Sequence, residues 1–336
     1  MSNKVINKPN KVIKAISFLY FMFCFFMCLL VTLLPWWPIN EILIIPKYAL
    51  LFGPRWWLLI IVVGLFVFWR YLSKLQLQLS PLLILLSLNF LDFQLPSITS
   101  YFSAQTTDQK VSVLSANIGG GGDMKILENI GFNERVDIIV LQEARRVPLE
   151  KVFSLYNFKE CVSGLCIFSK YPFKKVQVLN RNLFGGWGDF AVFYEVKTPF
   201  GAISLANVHF ETPRSVLMGL IYRFFDFKLA QSIESNRQFE SDLVSLWSKN
   251  KTHMLIMGDF NMPQNDNIYQ QSFTHLNNAI ATKGVGFNAT KHTSWYGVRI
   301  DHVLYSGDFT LNAVEVIDSI GGDHRPIIAS FNVVNE

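Results

Sequence analysis

The chain has 336 residues, of which 51% are hydrophobic, 15% aromatic and only 16% charged. Soluble domains carry about 25% charged residues, so a wholly soluble, surface-rich protein is excluded, as are disorder and collagen-like repetition. Residues 1–104 hold 8 Lys/Arg against 2 Asp/Glu and residues 105–336 hold 22 against 23, so the net charge of +5 belongs to the apolar N-terminal third and argues for no basic nucleic-acid-binding face on the rest.

In chain order, the first element is the uncharged run 15–35, long enough to cross a bilayer, which takes roughly 20 apolar residues. Lys4, Lys8, Lys11 and Lys14 precede it. A cleaved signal peptide would have a shorter apolar run ending in small residues. This run ends in Pro35-Trp36-Trp37-Pro38, so an uncleaved anchor is expected. The stretch Ile42–Gly53 is apolar but interrupted by Lys47, and reads as an interfacial or re-entrant lead-in. A second span is expected over 54–70 and a third over 79–95, with Pro81 suited to its first turn and Asp92 near its far end. The four leading lysines, Arg70 and Lys74 share one side, and Lys47 and Arg55 the other. By the positive-inside rule the N-terminus is cytoplasmic, and three crossings place the remainder on the extracytoplasmic side. Residues 1–95 thus read as a membrane anchor, and the membrane is one expected partner. Apart from Asp92 the spans show neither paired charges nor a repeat, which argues against a transporter.

Residues 96–110 are polar and read as a linker. From 111 to 334 the pattern is one of short apolar runs divided by turn signals: Val111–Ala116, Asp137–Leu141, Gly164–Phe168, Phe190–Val196, Ala202–Val208, Met254–Met257, His302–Tyr305 and Ile327–Val333. Met124–Phe132 reads as a helix. So does Asp226–Lys249, with Leu229, Ile233, Phe239, Leu243 and Leu246 on its expected buried face. Two sheets with helices outside, a layered α/β sandwich, fit this pattern. Cys24 and Cys28 read as packing residues in the first span. Cys161 and Cys166 flank a hairpin turn, and the pattern allows either a disulfide or two buried thiols.

The chemistry gathers at strand ends. Asn117, Glu143 and His209 each close an apolar run, Asp259 and Asn261 follow another, Asp301 opens a strand, and Asp323-His324 precede the last. Polar residues at strand ends form a rim on a rigid scaffold. Hard carboxylate and amide oxygens suit Mg²⁺ or Mn²⁺. Glu143 and Asp323 could hold such a cation, Asp259 could orient or deprotonate a water, and two histidines could protonate a leaving oxygen. Each residue alone has a structural explanation; six strand ends together do not. Arg214, with its guanidinium fork, is placed to meet a substrate phosphate. The apolar segment after it, which includes Arg223, reads as the start of the long helix, with a lid or membrane-dipping element as the alternative. The run Gly119–Gly122 lacks the Lys-Ser/Thr of a P-loop and reads as a flexible turn.

The stretches LSANIGG, VLQEA, ANVHFE, MGDFNMP, RIDHVLYS and GGDHRPI resemble, in order, the motifs of the endonuclease/exonuclease/phosphatase superfamily, and the chain is similar to a membrane-anchored, bacterial-type member of its deoxyribonuclease/sphingomyelinase branches. The resemblance implies a four-layer α/β/β/α sandwich and a Mg²⁺-dependent hydrolase of phosphate esters. It puts Asn117, Glu143 and Asp323 at the metal, Asp259 on the water, Asn261 on the phosphate or nucleophile, Asp301 behind His324, and His209 as the general acid. It suggests Asp189 as an orienter of His209, and His302 as structural. The expected function is a membrane-anchored, metal-dependent phosphodiesterase of nuclease type attacking with water in line. A lipid or sphingolipid phosphodiesterase, a small-molecule phosphatase and a non-catalytic scaffold are the alternatives. Arg145, Arg146, Lys174 and Lys175 are the residues available for local phosphate contacts. The sequence points to no protein partner.

Overall fold

Four apolar helices open the chain, and each starts or stops where its sequence dictates. The computed structural model describes residues 11–38, 40–95, 109–145, 147, 153–222, 224–249 and 251–333; most of the 96–110 linker, Arg146 and Arg223 lie outside them. Helix α1 spans Lys11–Thr32. Helix α2, Glu41–Phe52, is capped by Asn40, whose side-chain oxygen accepts the Leu43 N–H at 2.8 Å. Helix α3, Trp56–Val63, runs into a tighter turn from Gly64 to Phe68. Helix α4 spans Lys74–Phe90. It begins earlier than the apolar run suggests, because Ser73 and Gln76 form a capping box; Pro81 therefore sits inside the helix and not in its first turn. Among the described residues, α1 is long and apolar enough to cross a membrane, and the pair Ile42–Phe52 and Trp56–Phe68 passes the same test together with a bend of 79°.

Beyond two short ladders, Phe93–Gln94 (β1) with Gly286–Phe287 (β11) and Lys291–His292 (β12) with Gly297–Val298 (β13), lie two six-stranded mixed sheets. The first is ordered Asn277–Asn278 (β10), Asp301–Tyr305 (β14), Met254–Asp259 (β9), Gly201–His209 (β8), Asp189–Thr198 (β7) and Phe173–Asn180 (β6). The second is ordered Phe309–Val316 (β15), Ile327–Val333 (β16), Lys110–Asn117 (β2), Ile138–Gln142 (β3), Leu165–Ser169 (β5) and Phe158–Val162 (β4). Each sheet contains one parallel pair, β8 with β9 and β2 with β3. The remaining ladders are antiparallel. Val113, Ile138, Val192, Leu205, Leu255 and Ile327 fill the space between the sheets. Helix α5, Met124–Asn133, packs Leu127 on the outside of the second sheet, and α7, Phe227–Ser248, packs Val244 on the outside of the first. The architecture is the α/β sandwich expected. Cys161 and Cys166, cross-strand partners on β4 and β5, are disulfide-bonded.

Two expectations change. The segment after Arg214 is a separate helix, α6 (Arg214–Tyr222), and not the beginning of α7; it packs on α2 and leaves Ile221, Tyr222, Phe224 and Phe225 exposed. The buried face of α7 is only partly the expected apolar one: Ile233 is buried and Leu243 partly so. Leu229, Phe239 and Leu246 are exposed, whereas Glu234, Arg237 and Glu240 are buried. The reason is ionic. Lys47 Nζ on α2 bonds Glu234 at 2.5 Å and lies 3.3 Å from Asp266; Arg237 bonds Glu234 at 2.9 Å and Asp266 at 2.7 Å; and Tyr48 donates to Glu234 at 2.6 Å. Arg181 covers Glu240 at 2.6 Å. Charges can be taken out of water only when paired this closely.

This cluster holds the N-terminal helices onto the β-sandwich. Removing one partner of a buried pair costs about 3–5 kcal/mol, because the other charges stay desolvated. Lys47→Met is therefore expected to lower the melting temperature of the full chain in detergent clearly, whereas Lys228→Met, at an exposed position of α7, leaves it unchanged.

Candidate active site

The site forms where the carboxyl ends of the two parallel pairs meet. His209 and Asp259 close β8 and β9 as direct neighbours, and Asp301 opens β14 opposite Asp259, so the three lie in one row across the first sheet. Asn117 ends β2 beside Gln142 on β3, and Glu143 follows at once. Asn117 Nδ2 then spans the gap between sheets, donating to Glu143 Oε1 at 3.1 Å and to Asp259 Oδ2 at 2.9 Å. Its Oδ1 accepts the Gly119 N–H at 2.8 Å. Asn117 thus holds the two carboxylates in register as a donor, while its oxygen stabilises the glycine loop.

The remaining expected residues converge on Asp259. His209 Nε2 lies 3.7 Å from Glu143 Oε1 and 3.8 Å from Asp259 Oδ2. His324 Nε2 lies 3.8 Å from the same Asp259 oxygen and 4.0 Å from Asp323 Oδ1. Its Nδ1 faces Asp301 at 2.9 Å. Asn261 donates its backbone N–H to Asp259 Oδ1 at 2.8 Å and its side-chain amide to the Phe210 carbonyl at 2.9 Å, so it buttresses Asp259 and the end of β8. Glu143 and Asn261 both hold positive φ, 55° and 49°, the kind of backbone strain that gathers at functional sites.

Two expected residues point elsewhere. Asp189 accepts from Asn180 Nδ2 and Ser163 Oγ, each at 2.5 Å, which ties it to the neighbouring strand end and the β4–β5 turn. Arg214 is exposed at the first position of α6, after the chain has turned away at Glu211, whose N–H bonds Glu240. A cleft of about 550 Å³ opens beside Glu143 and His209, and its lining includes Arg145, Arg181 and Trp187. Arg145 lies over the Trp187 ring at 5.9 Å and is the cleft's candidate phosphate contact in place of Arg214. Lys175 is paired with Glu160 at 2.5 Å on the far strands. His302 is buried between Asn278 and the Met262 carbonyl, a structural position.

The glycine run does more than turn. A Cβ at Gly119 would collide with the Glu143 carboxylate, and one at Gly120 would come within 2.8 Å of Asp323 Oδ1. The loop therefore lies directly against both candidate ligands. Lys291, which the sequence pattern passed over, pairs with Asp323. Gln142 and Asn207 were also missed. They join the sheets beneath the site, Gln142 Nε2 donating to Asn207 Oδ1 at 2.8 Å, and Asn207 Nδ2 to the carbonyls of Leu141 and Cys166.

Electrostatics divides the groups. Burial, with the Asp301 carboxylate nearby, lifts Asp259 to about 7 against the pull of His324. Burial works against a charged His324, but Asp301 outweighs it and raises the imidazole to about 9. His209 has no such partner in contact; burial, aided by Arg181 and His324, outweighs Glu143 and lowers it to about 4. The two histidines are thus set to opposite protonation states, one a cation and one neutral. Glu143, His209 and Asp259 lie close enough to share a metal ion, as do Asp259, Asp301 and His324. The oxygen-rich side, with half-exposed Glu143 and Asp323 on either flank of the glycine loop, fits a hard divalent cation.

A fold of two mixed sheets bearing this set defines a phosphoesterase scaffold. Residues 114–324 match the model of the Endonuclease/Exonuclease/phosphatase family, and the chain belongs to that family. Its members are phosphoesterases and nucleases that generally use divalent metals. Among solved structures, Danio rerio TDP2 humanized by 14 mutations is similar at 17% identity, over 67% of this chain and 99% of that one, with a TM-score of 0.51. A family protein from Beutenbergia cavernae is similar at 16% identity, over 68% and 72%, with a TM-score of 0.48. The 3′ phosphatase NExo from Neisseria, bound to product DNA hairpin, is similar at 15% identity, over 66% and 99%, with a TM-score of 0.49. Among curated proteins, none matches the chain significantly.

The Asp301–His324 pair gives a direct test. The folded imidazole titrates above the ordinary 6.5, so its stabilisation is complete below 6.5 and is lost as pH rises through about 9. In the metal-free protein, the NMR titration of His324 is expected to stay on its protonated plateau up to pH about 8, and Asp301→Asn to bring the midpoint down toward the ordinary histidine range.

Proposed function

We propose that this protein is a membrane-anchored, divalent-metal-dependent hydrolase of phosphate esters, with its catalytic domain on the extracytoplasmic side. The observation that carries the reading is the Asn117 bridge, which brings Glu143 of one sheet and Asp259 of the other to a single point flanked by two histidines. A cation held by Glu143 and Asp323, Mg²⁺ or Mn²⁺ by their donor chemistry, would supply charge neutralisation at the phosphoryl oxygens when bound. Asp259, fixed by Asn117 and the Asn261 N–H, orients the attacking water and accepts its proton. His324, kept cationic by Asp301, stabilises the charge that develops on the phosphoryl group. His209, at the mouth of the cleft, faces the leaving oxygen, and Arg145 is available for a substrate phosphate.

The anchor reading rests on the length of α1; with the bent pair that follows taken as re-entrant, the chain crosses once and the catalytic domain lies opposite the N-terminus. Exposed Ile221, Tyr222, Phe224 and Phe225 after α6 add an apolar edge that suits a membrane surface, and favour a lipid phosphodiesterase as the second reading over a small-molecule phosphatase.

The full chain in detergent is expected to hydrolyse bis-p-nitrophenyl phosphate with Mg²⁺ and to stop in EDTA. Loss of a general base or of a charge-stabilising group costs about 10²–10⁴-fold, so Asp259→Ala and His324→Ala should each reduce turnover by that order. Equal rates for wild type and the double variant would remove the mechanism. For topology, alkaline phosphatase fused after residue 110 is expected to be active in a bacterial host; an inactive fusion would reverse the orientation.

A further inference from the structure

A second cavity, of about 470 Å³, lies at the seam between the N-terminal helices and the catalytic domain. One wall comes from the start of α3 and the end of α4, with Arg55, Trp56 and Asp92; the other comes from the hairpin formed by Lys291–His292 (β12) and Gly297–Val298 (β13) and its flanks, with Trp295, Arg299 and Arg325. The seam shares a wall with the active site. The His292 N–H donates to the Asp323 carbonyl at 2.8 Å, Lys291 is bridged to His324, and Arg325 follows His324 directly.

The charge of this cavity is unbalanced. Three guanidiniums face one carboxylate, Asp92, which Arg299 engages through Nε at 2.7 Å and Nη2 at 2.6 Å. Arg299 is only 2% exposed, yet its Nη1 has no hydrogen-bond partner among the described residues. Arg55 directs its nitrogens to the carbonyls of Leu51 and Phe90 and forms no ion pair with a described residue. A buried guanidinium N–H without an acceptor is costly, and a phosphate is the acceptor whose geometry a guanidinium fork matches best. The rest of the lining mixes polar residues, Asn288, His292, Thr293 and Ser294, with apolar ones on the side of the N-terminal helices. Trp56 of α3 and Trp295 of the hairpin meet edge to face at 5.7 Å, and Trp295 is 64% exposed. Indole rings take this place at the headgroup level of a bilayer, with the uncharged body of α3 running on from Trp56.

We propose that the seam cavity binds the phosphate head group of a membrane lipid, its phosphate on Arg299 and Arg325 and its chains along α3 and the paired indoles. The proposal rests on the membrane-anchored part of the reading above and is independent of hydrolysis. A soluble phosphate ester offers the same anion but nothing for Trp56 and Trp295 to cover, so the two sources are separable.

Native mass spectrometry of the full chain in detergent, with EDTA present so that no probe is consumed, tests it with phosphatidic acid, phosphatidylcholine and glycerol 3-phosphate. Phosphatidic acid is expected to bind at least about tenfold more tightly than either of the others, and Arg325→Gln and Trp295→Ala each to weaken it by about tenfold, the effect of losing one good contact. Both side chains lie at the cavity rim, and unchanged melting temperatures would show that the variants fold. Equal affinity of the variants, or of phosphatidylcholine, overturns the proposal, and so does glycerol 3-phosphate binding as well as phosphatidic acid. Turnover of bis-p-nitrophenyl phosphate is read separately: its survival alongside lost lipid selectivity would discard this site and leave the hydrolase reading standing.

Discussion

Everything catalytic in this molecule depends on two β-sheets being held in register by side-chain amides. Asn117 and Gln142 reach across from the second sheet, to Asp259 and Asn207 of the first. Sheets packed by apolar contact alone can slide, because dispersion and the hydrophobic effect are non-directional. Two buried amides cannot move without leaving donors and acceptors unpaired, at about 1–3 kcal/mol each. They sit at the last turns of the parallel pairs, where a small slip would separate Glu143 from Asp259. The polar groups in the core are therefore the reason that residues from opposite sheets can act as one centre.

The central strands and most of the site residues were legible in the sequence, for a common reason. Runs such as MLIMG and DIIVL are largely buried on both faces, so they read as unbroken apolar segments, and a polar residue one or two places after each, Asp259 or Glu143, marks the rim. Edge strands β6 and β15 were missed because only one face is covered and lysines or alternating polar residues break the pattern. The buried face of α7 was misread because Glu234, Arg237 and Glu240 look like a solvated surface until Lys47, Asp266 and Arg181 are brought to them from distant positions. Lys291 and the Gly119–Gly120 contact were equally invisible, since their meaning lies in what they touch. Asp189 and Arg214 show the converse: residue type and local spacing suggested roles, but Asp189, although it lines the cleft, is bonded to Asn180 and Ser163, and Arg214 is not among the residues that line it.

The same ion cluster joins two parts that composition alone would separate. Lys47 and Tyr48 lie on an apolar helix, whereas Arg237 donates at 3.1 Å to the carbonyl of Asn261, the residue whose N–H fixes Asp259. On the other side, Asp92 after α4 holds Arg299, two residues before Asp301. The N-terminal helices thus contribute to the packing directly behind two strand ends of the site, and the sandwich is expected to depend on them for its stability.

The positive φ angles of Glu143 and Asn261 carry a last consequence. A left-handed backbone costs a side-chain-bearing residue about 1–3 kcal/mol, and glycine nothing comparable. At these two positions the most stable residue and the useful one differ, so fold robustness and turnover pull in opposite directions. A selection for thermal endurance alone would drift toward glycine there and, on the proposed function, remove the cation ligand and the side-chain amide that braces the end of β8.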